Sequence, residues 1–114
     1  MSNRLLRINS LIKEELAKIF LKEVDFPIGV LVTITRVKAS VDLANIGVYI
    51  SVFPSRESAE IFKILNRAIY DIQKTLNRKL RMRPVPKIRF VKEEQIEEAV
   101  KIEGILEEIK KEEK

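Results

Sequence analysis

Between Ile61 and Lys92 ten lysines and arginines stand against a single acid, Asp71. That is a local charge of +9 in a chain whose formal net charge is only +5. Lys63, Arg67, Lys74, Arg78 and Arg81 recur by threes, fours and sevens. At about 100° per residue they fall within a wedge roughly 60° wide on one side of a helix. Arg81, Arg83, Lys87 and Arg89 then carry the cations through a proline-bearing turn and onto the outward positions of a short strand. A surface helix always turns something polar outward, and solubilising charges are common on edge strands. Five aligned cations with one acid nearby point instead to phosphate contact. The expected binding set is Lys63, Arg67, Lys74, Arg78, Arg81, Arg83, Lys87 and Arg89, forming one continuous surface. Asn66 and Asn77 flank the helical stripe as solvated neighbours.

Other chemistry is poorly provided for. The 114 residues contain no histidine and no cysteine, which removes the commonest general base, thiolate nucleophiles and the usual transition-metal ligands. Asp25, Asp42 and Asp71 share no helical or strand spacing, and Gly29, Gly47 and Gly104 are isolated, so no glycine-rich phosphate loop is present. No enzyme, cofactor or metal is expected. No apolar run reaches the length of a membrane span, the N-terminus does not read as a secretory signal and the absence of cysteine fits a reducing cytosol, so a cytoplasmic protein is expected. A monomer with no small-molecule substrate is expected as well. A length of 114 residues suits one domain over 1–114. Residues 1–60 are almost neutral, with eight basic and seven acidic residues, whereas 93–114 hold four lysines against nine glutamates. Those glutamates either solvate a last helix or fold back toward the basic surface.

The elements that must position the cations follow from periodicity. Leu5, Ile8, Ile12, Leu16 and Ile19 predict a helix over 4–22, ended by Pro27 and Gly29. Val30 to Lys38 reads as a strand, with Val30, Val32 and Ile34 on one face and Leu31, Thr33, Thr35 and Val37 on the other. Ser40 and Asp42 suit a turn through local side-chain bonds. Ile46, Val48, Ile50 and Val52 alternate with Gly47, Tyr49, Ser51 and Phe53, completing a hairpin. Ile61, Leu65, Ala68, Ile72 and Leu76 predict the long helix over 61–80, with Ser55 or Ser58 as its N-cap. Lys87 to Val91 forms a third strand with Ile88 and Phe90 inward, and 94–112 reads as a last, glutamate-rich helix whose end frays after Gly104. The order is α-β-β-α-β-α, an α+β class.

Over about 4–109 the chain resembles the bacterial ribosome-binding factor A family. The likeness rests on the Arg4/Arg7 entry, Val30–Lys38, Ser40-Val41-Asp42-Leu43, Val48-Tyr49-Ile50-Ser51-Val52, Leu65-Asn66-Arg67-Ala68, the run from Leu80 to Phe90, and Ile96-Glu97 through Ile102 and Leu106. The resemblance implies a type II KH-like domain with helices packed on a three-stranded sheet, and a C-terminal helix after it. It implies a non-enzymatic factor that binds the maturing small ribosomal subunit and its ribosomal RNA, assists late maturation and 5′-end processing, matters in the cold, and leaves before translation. Relatives kink the long helix at Ala-x-Gly. Here Ala68-Ile69-Tyr70 replaces it, and tyrosine does not relax the backbone as glycine does, so a milder kink or one held by packing is expected. Val41 stands for the usual proline, Ile46 for alanine, Lys92-Glu93 for an aromatic-aspartate pair, Gln95 for serine and Ala99 for glycine. There is no Gly-x-x-Gly loop of the kind that clamps four nucleotides in typical KH domains, so contact with the RNA backbone and its shape is expected rather than base reading.

Two other classes compete. A protein–protein module of the same α+β shape would use the acidic last helix or the long helix for docking and leave RNA untouched. A DNA-binding regulator would need a helix-turn-helix pair, which the strand hairpin argues against.

Overall fold

The computed structural model describes residues 3–93, and the helix expected over 94–112 lies outside them. Helix α1 (Asn3–Glu23) buries Ile12, Leu16 and Ile19, with Leu5 and Ile8 half-buried at its start. Strand β1 (Leu31–Ala39) pairs antiparallel with β2 (Asn45–Phe53). After a one-turn 3-10 segment at Ser55–Glu57, helix α2 (Ser58–Lys79) crosses the sheet and delivers β3 (Lys87–Lys92), which runs parallel to β2. The sheet order is β1-β2-β3, with both helices on one face. A long helical crossover is what a parallel neighbour requires. The α+β, three-stranded arrangement expected of a KH-like fold is present.

The apolar spacing sets the core. Ile61, Leu65, Ile72 and Leu76 of α2 meet Ile46, Val48 and Ile50 of β2 and Ile88 of β3, all at most 5% exposed. Truncating a fully buried leucine here costs about 2–5 kcal/mol through lost transfer energy and an incompletely collapsed cavity. Polar ties fix the layers. Asn9 Oδ1 accepts from Ala39 N–H at 2.9 Å, and Thr75 Oγ1 donates to Glu23 Oε2 at 2.8 Å, joining the two helix ends.

Three local expectations change. The face assignment of β1 fails after Ile34, because the register runs Ile34↔Ile50 and then Arg36↔Tyr49, leaving Thr35 as an extra residue. This β-bulge inverts the alternation. Val37 and Ala39 therefore face the core beneath the helices, and Arg36 and Lys38 face the open side. The N-cap expectation also fails: neither Ser55 nor Ser58 caps α2 through its hydroxyl, and Glu57 occupies the N-cap position, its own N–H donating to Pro54 O at 3.0 Å. Finally, α2 runs without interruption through Ala68-Ile69-Tyr70 and ends at Lys79, with Leu80 extended. Arg81 is therefore beyond the helix and not part of its wedge.

The hairpin turn is built as expected. Ser40 Oγ donates to Asp42 Oδ1 at 2.6 Å, and the Ala44 N–H donates to both side chains at 3.1 Å. Asn45 N–H also donates to Ser40 Oγ at 3.1 Å. The Ser40 hydroxyl, then the Ala44 amide, hold the Asp42 carboxyl below its ordinary value. Leu43 closes the turn in the left-handed region at φ 59°.

Candidate nucleic-acid interface

Helix α2 gathers four of the eight expected residues. Lys63, Arg67, Lys74 and Arg78 are all exposed, on the side turned away from the buried stripe. Among the described residues none of them joins a salt bridge, since the pairs formed are Lys18–Glu15, Arg36–Glu93 and Arg56–Glu57. Arg78 and Lys79 in the last turn also complement the negative end of the helix dipole. The result is a row of solvated cations running along most of the helix, rigidly held because the opposite side of the same helix is core.

The chain after α2 breaks the row. Arg81 is exposed just past the extended Leu80. Arg83 is exposed but folds back on its own turn, donating from Nη1 to Leu80 O at 3.2 Å and Met82 O at 2.7 Å. A clamp from α2 then sets the position of β3: Gln73 Nε2 donates to Pro86 O at 3.1 Å, and Gln73 Oε1 accepts from Ile88 N–H at 2.9 Å. With Ile88 driven into the core, Lys87 and Arg89 point the other way, onto the open face of the sheet. The eight residues thus divide between two surfaces: the α2 group on the helix layer, and Lys87 and Arg89 on the side of the sheet that the helices leave uncovered.

That open face holds cations the alternation of the sequence concealed. The bulge at Thr35 brings Arg36 and Lys38 onto it. The Arg36 guanidinium lies over the Tyr49 ring, 4.0 Å from its centroid, and its Nε donates to Glu93 Oε2 at 3.0 Å. Thr35 Oγ1 donates to the same carboxylate oxygen at 2.8 Å. Glu93 follows β3 directly, its N–H donating to Ile50 O at 2.9 Å, and the other eight late glutamates lie outside the described residues. Lys38, Gly47 and Arg89 form one row across the three strands, because Lys38 pairs with Gly47 and Gly47 with Arg89. They line a shallow depression of about 400 Å³ together with Ser40, Asn45 and Tyr49. The outward positions of Tyr49 in β2 and of Lys87 and Arg89 in β3, visible in the alternation, are what point to this face from sequence. Among the described residues no His/Cys/Asp/Glu group has the make-up of a metal site, and no helix is long and apolar enough to cross a membrane.

The family model for ribosome-binding factor A matches residues 4–106. A ribosome-binding factor A from Chlorobaculum tepidum is 37% identical over 113 residues, covering 96% of this chain and 93% of that protein. The crystal structure of ribosome-binding factor A from Thermus thermophilus superposes with a TM-score of 0.66 at 27% identity, covering 77% of this chain and 93% of the other. A homology model of the Thermus thermophilus factor, fitted into a cryo-EM map of a complex of the 30S subunit with that factor, superposes with a TM-score of 0.57 at 26% identity, covering 75% and 91%.

Proposed function

Because the chain belongs to the ribosome-binding factor A family, we propose that it is a non-enzymatic assembly factor of the small ribosomal subunit. In this reading it binds the maturing subunit in the cytoplasm as a monomer, touches its ribosomal RNA, and assists late maturation and 5′-end processing. The observation that carries the reading is the family match over 4–106, supported by the likeness to a relative fitted to the 30S subunit.

The geometry supplies a mechanism for the contact. Phosphate oxygens meet Lys63, Arg67, Lys74 and Arg78 on α2, with Arg81 past the helix end, Arg83 through the donors other than the Nη1 its own turn holds, and Lys87 and Arg89 contacting from the sheet. Such contacts fix register and orientation on a folded RNA but carry no sequence information. Selectivity then comes from the shape of the subunit. A folded helix face loses little conformational entropy on binding compared with a flexible basic tail, so fewer contacts suffice.

The test is sedimentation of the tagged full chain through a ribosome gradient, with Arg67→Glu/Arg78→Glu alongside. The unaltered chain is expected to travel with immature small subunits and not with translating ribosomes. The double variant is expected to stay at the top of the gradient while its unfolding free energy moves by no more than about 0.5 kcal/mol, as exposed substitutions usually do. Co-sedimentation of the double variant at the parent's level removes α2 from the interface. Absence of the unaltered chain from small subunits defeats the functional reading itself.

A further inference from the structure

We infer that the open face of the sheet seats one unpaired RNA nucleotide, its phosphate between Lys38 and Arg89 and its base on the Arg36–Tyr49 stack. This site rests on the RNA-binding reading but lies on the other side of the molecule from α2. Lys38 and Arg89 stand on the two strands flanking β2, so their backbones are roughly 10 Å apart. Gly47 lies between them in register. It contributes no side chain, which lets the Tyr49 ring settle over the strand between two long, exposed cations. A Cβ on Gly47 would meet Tyr49 Cε1 at 3.3 Å and Cζ at 3.9 Å. The hydroxyl-bearing end of the ring thus leans over the glycine and adds a neutral donor to the wall of the depression. Ser40 and Asn45 close its far end.

The neighbouring stack supplies the second half of the site. Arg36 lies over Tyr49 while Glu93, whose side chain is 4% exposed, holds its Nε. The Arg36 side chain is 42% exposed, so with its Cζ over the ring and its Nε on Glu93 part of it remains open to solvent. A guanidinium plane held in this way is a stacking surface for a splayed-out base. Glu93 also offsets the charge of Arg36, which leaves Lys38 and Arg89 as the unbalanced pair facing an anion. A paired base cannot reach a guanidinium lying against a sheet, so the occupant is single-stranded.

Fluorescence anisotropy of the full chain with an oligoadenylate of about ten nucleotides, and with an abasic strand of the same length, tests the site. The parent is expected to prefer oligoadenylate at least about fivefold, the lower end of what one stacked base contributes. Lys38→Gln/Arg89→Gln is expected to lose about tenfold or more in affinity for it, with the log–log salt slope shallower by about 0.7, one single-strand phosphate. Arg36→Lys keeps the charge and loses the plane, so it is expected to erase the preference. Arg67→Gln/Arg78→Gln is expected to retain it. Equal binding of the two strands by the parent, or undiminished affinity in Lys38→Gln/Arg89→Gln, overturns the site. A chain that binds small subunits and not oligoadenylate overturns this site alone, whereas a chain that binds neither overturns the RNA reading with it.

Discussion

Asp42 holds the tip of the hairpin by accepting from Ser40 Oγ and the Ala44 amide, and those bonds favour its charged form. A carboxyl whose folded value is depressed contributes fully above its unfolded value and loses that contribution as pH falls through the folded one. The turn is therefore expected to loosen from about pH 4 downward. Amide exchange at Ala44 and Asn45 between neutral and strongly acidic pH measures this, and Ser40→Ala should flatten the acid response. An unchanged profile in that variant would mean that Ser40 is not the principal cause. Glu93 makes a sharper case. Arg36→Met strips a carboxylate that is almost fully buried of its guanidinium. A hydrogen-bonded charge left in that condition costs about 1–3 kcal/mol. Urea unfolding should show that loss, with Glu93→Gln milder because its amide oxygen still accepts from Thr35.

At the scale of elements, the bulge at Thr35 decides which half of β1 is core. Val37 is 7% exposed, so Val37→Ala is expected to cost about 1–2.5 kcal/mol by chemical denaturation. Uninterrupted alternation from Val32 would place it on the open face, where the same change costs little. The helices and β2 were legible from sequence because their apolar spacing runs unbroken over many residues: Ile12-Leu16-Ile19, Ile46 to Val52, and Ile61 to Leu76. The bulge was not, since a single inserted residue leaves no mark on composition, only a reversal of phase. The Arg36–Glu93 bond spans 57 residues of sequence, and β3 pairs with β2 only through a helical crossover. Pairings at that distance are set by packing and have no local signal. The four cations on α2 were legible for the same reason as its core. The facing of Lys87 and Arg89 toward the open sheet required knowing which side the helices cover.

The described residues form a helix layer on a single sheet, with exposed cations on both outer surfaces. With about five phosphates contacted, the affinity for small subunits is expected to fall with log salt at a slope near about −3.5 to −4.5. A flat response in filter binding would mean that charge does not hold the complex together. The helix layer and the sheet hold the two surfaces on opposite sides, more than about 10 Å apart. Sites that far apart with no shared partner act independently, so the fold losses from neutralising both should multiply. If both surfaces hold RNA as proposed, a strand on one side leaves the other free to catch a second segment at high effective concentration, and the slab would then stand between the two segments.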